Sequence, residues 1–426
     1  MIGQPPRIVL IDDKMHHLHG LAKALGKLDS ACLPFHFEDQ GPSKNQLRNA
    51  RVIFCDLHLL SDALTADTKQ QLAVIAGMLS EGLEANHGPY VLIIWTEYPE
   101  KVEGIQEYLE ALLPGQRPIE YVCFAKNDFI DPRDGNLIAE GDLIAKIQDS
   151  LGKWSGVSAL LWWETTVANA AADLAASLWE PFDDDETMRP EGLRQTFGKL
   201  AVGSAGDHHA RTSPGMAVNE ALVPMLSDRI ERTKFPSEVW SSAVEFDQQG
   251  QAVPTARLNA LVHLDFVHGL SPLQRGSASP LLAAWSTEQS FRAKFGYSQD
   301  DVLKSFGFKG RRIDEAKQEA SWHLIQIRAA CDEAQGKAGL IPFVLAAKIS
   351  TKTNDSVRPS AWVSRDFQFG ESVARICANA NFILGLNESE VSGFKKPNFR
   401  LRTSLVESLI VAVHSHASRP GTIDIC

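Results

Sequence analysis

Four short apolar runs, each closed by a polar or charged residue, set the pattern of the first third of the chain. RIVLIDD, residues 7–13, ends in Asp12 and Asp13; RVIFCD ends in Asp56, YVLIIWT in Thr96 and YVCFAK in Lys126. Apolar runs of this length without polar alternation predict strands buried on both faces, as in a parallel sheet. CLPFHFED, residues 32–39, is a further strand candidate. Between the runs lie segments of helical period: Leu18, Leu21, Leu25 and Leu28 share one face, residues 65–83 and 100–113 form two more helices, and Leu143, Ile144, Ile147 and Leu151 share a face of a last one. Strand and helix thus alternate over residues 1–152, which predicts a parallel sheet covered on both sides. Ligands of such sheets gather at the carboxyl ends of the strands, where the four polar tips converge.

The pattern changes after residue 152. Residues 155–180 predict one long helix, with Val157, Leu160, Leu161, Ala168, Ala171, Ala175 and Leu178 as an apolar stripe. Such a stripe either packs into the next core or serves as a connector or dimer seam. FDDDETMRP, residues 182–190, reads as a loop, and 191–202 and 216–233 as helices, so that 153–250 is mainly helical. In RLNALVHLDF, apolar residues at 258, 260, 262, 264 and 266 alternate with polar ones, which predicts a half-buried strand. WHLIQI, IPFVLAAKI and AWVSRDFQF add three strand candidates. A closing helix near 402–416 carries Leu405, Val406, Leu409, Ile410 and Val413 on one face, and 251–426 reads as a mixed α+β domain.

Length and charge narrow the function classes. A chain of 426 residues predicts two or three domains. The net charge is −11, and residues 1–150 hold 13 basic against 22 acidic side chains, leaving 29 against 31 for the remainder. Neither part carries the basic excess of a nucleic-acid binder, so sequence-specific DNA binding is disfavoured. No apolar run reaches the roughly 18 residues of a membrane span, and the N-terminus lacks a charged-then-apolar signal. Six cysteines show no CxxC pair or zinc-like spacing, and Cys55 and Cys123 fall inside apolar runs. A cytoplasmic protein with reduced thiols is expected.

Asp12, Asp13, Asp56, Thr96 and Lys126 occur in a telling order. With a pair of acids after the first strand, an aspartate after the third, a threonine after the fourth and a lysine after the fifth, residues 1–152 resemble the receiver domains of two-component response regulators. The resemblance implies a doubly wound (βα)5 fold with strand order 2-1-3-4-5. It further implies that Asp56 accepts a phosphoryl group from a histidine kinase or phosphotransfer protein. Asp12, Asp13, Asp56 and the backbone carbonyl of His58 would hold Mg2+, and Lys126 and Thr96 would meet the phosphoryl oxygens. Two positions depart from the family pattern: Asn127 follows Lys126 where most members have proline, and Cys123 stands where many carry an aromatic switch residue. His58 and Tyr98 flank the site, two places past Asp56 and Thr96.

No P-loop, nucleophile elbow or metal-ligand cluster stands out after residue 152. IRAACDEAQGK places Cys331, Asp332 and Gln335 after a strand, as a helix start or a reactive thiol. His263 and Asp265 would share a strand face, His208 and His209 fall in a Gly-rich loop, and Lys395, Lys396, Arg400 and Arg402 form a local basic cluster. Two classes of function follow. In one, a phosphoacceptor signalling protein, with at most autophosphatase activity, uses its C-terminal region for protein interaction; receivers joined to large parts that do not bind DNA resemble proteins of bacterial antiphage phosphorelays, where a receiver serves as a phosphate sink. In the other, phosphorylation switches an effector enzyme or nucleic-acid-acting protein whose active site lies in 251–426.

Overall fold

The computed structural model describes residues 7–27, 30–38, 41–60, 68–84, 87–138, 140–153, 155–179, 189–244, 254–266, 269–334, 339–350 and 360–417. The chain divides into two compact units: Met1–Asp173 with Arg229–Phe246, and Leu174–Asp228 with Asp247–Cys426. Among the described residues no helix is long and apolar enough to cross a membrane.

The first unit is built on a five-stranded parallel sheet: β1 Ile8–Asp12, β2 Cys32–His36, β3 Val52–Cys55, β4 Val91–Thr96 and β5 Glu120–Ala125, in the order β2-β1-β3-β4-β5. Every residue of β3 and β4 is buried, whereas the edge strands β2 and β5 are partly exposed. The buried central strands need no alternation because helices cover both faces. Five helices follow the strands: α1 Met15–Gly26, α2 Lys44–Leu47, α3 Thr68–Gly82, α4 Ile105–Leu112 and α5 Glu140–Lys153. Val9, Ile11, Ile53, Leu92 and Ile94 meet Leu72, Ile75, Leu79 and Leu109 on one face. Leu10, Phe54, Ile93 and Trp95 meet Leu18, Leu21, Leu25, Leu143 and Ile147 on the other.

Two local features were not legible in the apolar pattern. The polar segment before β3 contains the single turn α2, held by a capping box between Ser43 and Gln46. The helix expected over 100–113 is split: a 3-10 turn, Pro99–Val102, precedes α4, and Gly104 at φ 78° separates them.

Helix α6, Ser155–Trp179, has a different buried face from the expected stripe. Val157 is buried, but Leu160 is 41% exposed, and the other buried residues are Ala159, Thr166, Ala170 and Leu174. The rotation has an aromatic cause: Trp162 packs against Phe235 and Trp240, with ring centroids 5.2 and 6.4 Å away, and Leu160 lies two residues, roughly half a turn, round the helix from it. Glu164, on the same helix, takes Arg7 at 3.2 Å and Arg51 at 3.0 Å, which fastens α6 to the residues that enter β1 and β3.

The helices α7 Arg189–Ala205, α8 Asp207–Thr212, α9 Pro214–Arg232, α10 Ser237–Ala243 and α11 Thr255–His263 come next. The loop expected over 182–190 lies outside the described residues up to 188, and Arg189 and Pro190 already belong to α7. His208 and His209 lie in α8, not in a loop, because Gly206 at φ 79° breaks α7 from α8 and the chain resumes its helix at once. Residues 258–266 are also corrected: all but the last few are helical in α11, with only Leu264–Asp265 extended as β6. Pro254 at the N-cap, with the helix formers Ala256, Arg257 and Leu258 following Thr255, outweighs the alternation. His263 therefore ends a helix, and Asp265 pairs instead with Arg400 at 3.0 Å.

The second unit is completed by β7 Ser277–Pro280, α12 Glu288–Phe295, α13 Gln299–Ser305, α14 Arg311–Glu319, β8 Ser321–Gln326, α15 Ala330–Ala334, β9 Ile341–Ser350, β10 Ala361–Val363, β11 Phe367–Phe369, β12 Ser372–Leu386, α16 Glu388–Ser392, β13 Phe399–Leu401 and α17 Thr403–Ala417. The strands form an antiparallel sheet ordered β10-β12-β9-β8-β7-β13-β6, with β11 also on β12. AWVSRDFQF is two short strands, β10 and β11, both paired with the long β12. Apolar layers cover both faces: Leu324, Phe343 and Leu345 meet Phe291 and Phe306 on one, and Ile325, Val344 and Ala346 meet Val406 and Leu409 on the other.

One close approach in the first unit yields a prediction. A Cβ at Gly20 of α1 would lie 2.3 Å from the Gly135 carbonyl oxygen, and one at Gly135, where φ is 72°, would lie 2.2 Å from the His16 carbonyl oxygen. Gly135→Ala is expected to cost about 1–3 kcal/mol, read as a lower urea midpoint at unchanged slope. Gly115→Ala, with open space around it, should leave the midpoint near wild type; equal midpoints for both variants would contradict the packing described.

Candidate functional site

The register of the sheet gathers the polar tips. Ile11 of β1 pairs with Cys55 of β3, and the Asp56 amide donates to the Ile11 carbonyl at 2.9 Å. Asp12 and Asp56 therefore leave adjacent strands side by side. Cys55 pairs in turn with Ile94, and Thr96 with Ala125, the residue before Lys126. The strand order reverses between β1 and β3, so the cluster occupies the crevice at the topological switch point.

Lys126 sits at the centre of the cluster and is completely buried. Its Nζ lies 2.7 Å from Asp12 Oδ2, 2.8 Å from Asp56 Oδ2 and 3.2 Å from His17 Nδ1. The 3-10 turn Lys126–Asp128 aims the side chain back over the strand ends. Asp12 Oδ1 also accepts the Lys14 amide at 2.9 Å. At the rim, Lys14 Nζ pairs with Glu97 Oε1 at 2.6 Å, and His36 contacts the Asp13 carbonyl oxygen at 2.8 Å.

Burial and mutual repulsion set the charges. Burial alone would raise Asp12, but the His17 ring, then the Lys126 ammonium and the Lys14 amide, hold it below the usual carboxylate range. Asp13 is raised by burial and by the Asp12 charge. Asp56 is pushed up to about 7, first by burial and then by Asp12, against the pull of Lys126. Lys126 is raised in spite of its burial, because Asp56 and Asp12 favour its charged form. Three carboxylates thus face one ammonium in a nearly dry crevice, which leaves an unmet demand for positive charge.

The donor set fits a hard cation. One oxygen from each of Asp12, Asp13 and Asp56 can lie within 4.8 Å of the others. Asp13 Oδ1 is buried without a hydrogen-bond partner, so it is open to an ion or a water. An all-oxygen set suits Mg2+, Ca2+ or Mn2+ better than zinc or copper.

The remaining expected residues flank this centre. Thr96 is fully buried, and its Oγ1 accepts the Tyr98 amide at 3.1 Å, which leaves the hydroxyl hydrogen available. The His58 ring packs edge-on to Tyr98 at 4.9 Å, and Lys101 stands 4.5 Å over the Tyr98 ring. Burial, then Lys101 and Lys126, lower the pKa of His58. Sequence reasoning missed His17 on α1, Lys14 just before it and Glu97 after β4, whose positions carried no pattern of their own.

The candidates beyond residue 152 do not converge in this way. Gln335 lies outside the described residues, and Asp332 is in the short α15. In the basic cluster Arg400 is committed to Asp265, and Arg402 Nε donates to the Leu264 carbonyl at 2.9 Å.

The raised Asp56 carboxyl makes stability depend on pH. The unfolded chain releases that proton near pH 4 and the folded chain near pH 7, so the folded state holds the extra proton between them. Stability therefore falls as pH rises through this window, and the full penalty applies above about pH 7. In the presence of a chelator, Asp56→Asn is expected to raise the unfolding midpoint over wild type at about pH 8 and to lose that advantage near pH 4. Urea unfolding at both values measures it; an advantage independent of pH would contradict the assignment.

No protein-family model matches the chain, and no curated protein matches it. A solved structure described as a yeast Spc42 trimeric coiled coil in a fusion is 12% identical, with 40% of this chain and 98% of that one covered at a TM-score of 0.18, a likeness that carries no argument for fold or function.

Proposed function

We propose that residues 1–152 form a phosphoacceptor receiver domain, in which Asp56 takes a phosphoryl group from a phosphohistidine donor. The observation that carries this reading is the buried contact of Lys126 with Asp56 and Asp12, beside the unpartnered Asp13 oxygen. Phosphoryl transfer demands positioning and charge stabilisation more than covalent chemistry from the protein. An Asp56 oxygen forms the new bond to phosphorus as the bond from phosphorus to the donor nitrogen breaks; the imidazole leaves with the electron pair and is neutral once it carries one proton. Lys126 stabilises charge on the transferred oxygens, and the Thr96 hydroxyl donates to one of them. Asp12, Asp13 and Asp56, with the His58 carbonyl, would hold Mg2+, which supplies charge neutralisation when bound.

The rest of the chain is proposed to work through protein contact, with a histidine kinase or phosphotransfer protein as the donor partner. Two of the four cations in the cluster of Lys395, Lys396, Arg400 and Arg402 are already engaged within the fold. A duplex binder needs ~6–10 free convergent cations.

Incubation with Mg2+ and acetyl phosphate should add one acid-labile phosphoryl group to the wild type and none to Asp56→Asn. Full labelling of that variant would remove Asp56 as the acceptor.

Metal binding is tested separately by calorimetry. Asp13→Ala should weaken Mg2+ by at least about tenfold, and Asp12→Ala by less, since one Asp12 oxygen already accepts the Lys14 amide whereas Asp13 Oδ1 has no partner. Wild-type affinity in both variants would remove the metal site.

A further inference from the structure

We infer that His17 is a positioning residue that holds Lys126 in place for the transfer step. This inference rests on the phosphoacceptor reading above and extends it to a residue outside the five positions that carry that reading.

His17 occupies the first turn of α1 and is completely buried. Its two ring nitrogens have partners of opposite kind. Nε2 lies 3.2 Å from the Pro132 carbonyl oxygen, which can only accept, and Nδ1 lies 3.2 Å from the Lys126 ammonium, which can only donate. The proton therefore sits on Nε2, and Nδ1 presents a lone pair to the lysine. Glu97 Oε1, 3.8 Å from Nε2, and Asp12 Oδ1, 3.6 Å from Nδ1, are the acidic groups nearest the ring. Both stand beyond hydrogen-bond distance.

The ring is fixed from behind by the segment after β5. Ile130 and Leu137 form a bridge, and Gly135 donates to the Asp131 carbonyl at 2.8 Å, which closes the segment into a compact loop. The loop carries Pro132 against α1, where Gly20 and Gly135 permit close approach. His16 shares the same carbonyl at 3.2 Å, so the first turn of α1 is held twice.

Lys126 has three protons and, among the described residues, three neighbours able to take them: Asp12, Asp56 and His17. The phosphoacceptor reading commits both aspartates to other work, Asp56 to the phosphoryl group and Asp12 to a cation. His17 Nδ1 is the acceptor that neither the cation nor the phosphoryl group claims. A lysine on a flexible four-carbon stem needs such an anchor to present its charge in one place, and a neutral acceptor provides it without cancelling the charge that the phosphoryl oxygens require.

Two substitutions separate this role from simple packing. In Asn the amide oxygen hangs from Cγ, as Nδ1 does in histidine, so His17→Asn keeps an acceptor for Lys126. In Gln the amide lies one carbon further out, where it meets Pro132 and not the lysine. Labelling with acetyl phosphate at saturating Mg2+ should stay within about threefold of wild type in His17→Asn and fall about 10- to 100-fold in His17→Gln. The Mg2+ concentration at half-maximal rate should be the same in all three proteins. Equal rates in the two variants, whether both high or both low, would overturn the inference.

A second readout keeps the two readings apart. The 15N signal of the Lys126 ammonium should exchange slowly with solvent in wild type and His17→Asn, and rapidly in His17→Gln. If wild type takes no phosphate, the phosphoacceptor reading fails, and this signal alone decides the anchor; identical exchange in all three proteins would remove it.

Discussion

The first unit is organised around one ammonium group in a dry, acidic crevice. Lys126 touches Asp12, Asp56 and His17, and each is almost fully shielded from water. Burying a lone ammonium costs several kcal/mol, and so does burying a carboxylate. Neither could stand alone here. The contact is tolerable because opposite charges meet at 2.7 and 2.8 Å where little water screens them. The imbalance that remains, three carboxylates to one ammonium, is an unmet demand for positive charge.

The geometry comes from the sheet more than from the loops. Parallel pairing in the order β2-β1-β3-β4-β5 aligns the strand ends, and the register sets Asp56 beside Asp12. A slip of one residue would turn the Asp56 side chain to the other face of the sheet and dissolve the cluster. Such a slip is opposed by the apolar residues on both faces of β3 and β4, since each would enter the wrong core. The precision of the site is thus inherited from packing some distance from it.

Much of this was legible in the sequence, for a physical reason. A parallel strand buried on both sides must be an unbroken apolar run, so its first polar residue marks its tip, and Asp12, Asp56, Thr96 and Lys126 announced themselves in that way. His17 did not. It stands in an amphipathic helix among His16 and His19, and only the long loop after β5, which brings Pro132 to its ring, sets it apart. In the second unit, antiparallel strands are short and alternation is a weak guide. Residues 258–266 alternate and yet fold mostly as α11, because Pro254 and the helix formers after it decide the local conformation. The stripe on α6 was misread for a related reason: leucines suggested the buried side, but the aromatic trio of Trp162, Phe235 and Trp240 fixed it.

A buried ion cluster is a poor device for stability. Apolar residues of similar volume would serve the fold as well or better, by about 1–4 kcal/mol in comparable cases. Apolar layers cover both faces of the sheet and run unbroken through β1, β3 and β4 up to the residue before each polar tip, Asp12, Asp56 and Thr96. The cluster therefore adds strain to a fold that could do without it. Asp56, raised to about 7, carries part of that strain, and Asp13 keeps a buried oxygen with no partner. Both burdens would be lifted by a cation and a phosphoryl group, and by little else that the chain itself contains. An arrangement of buried charge that costs stability by itself and is relieved by a cation and a phosphoryl group has the energetics of a site, which is why the proposed chemistry is placed here.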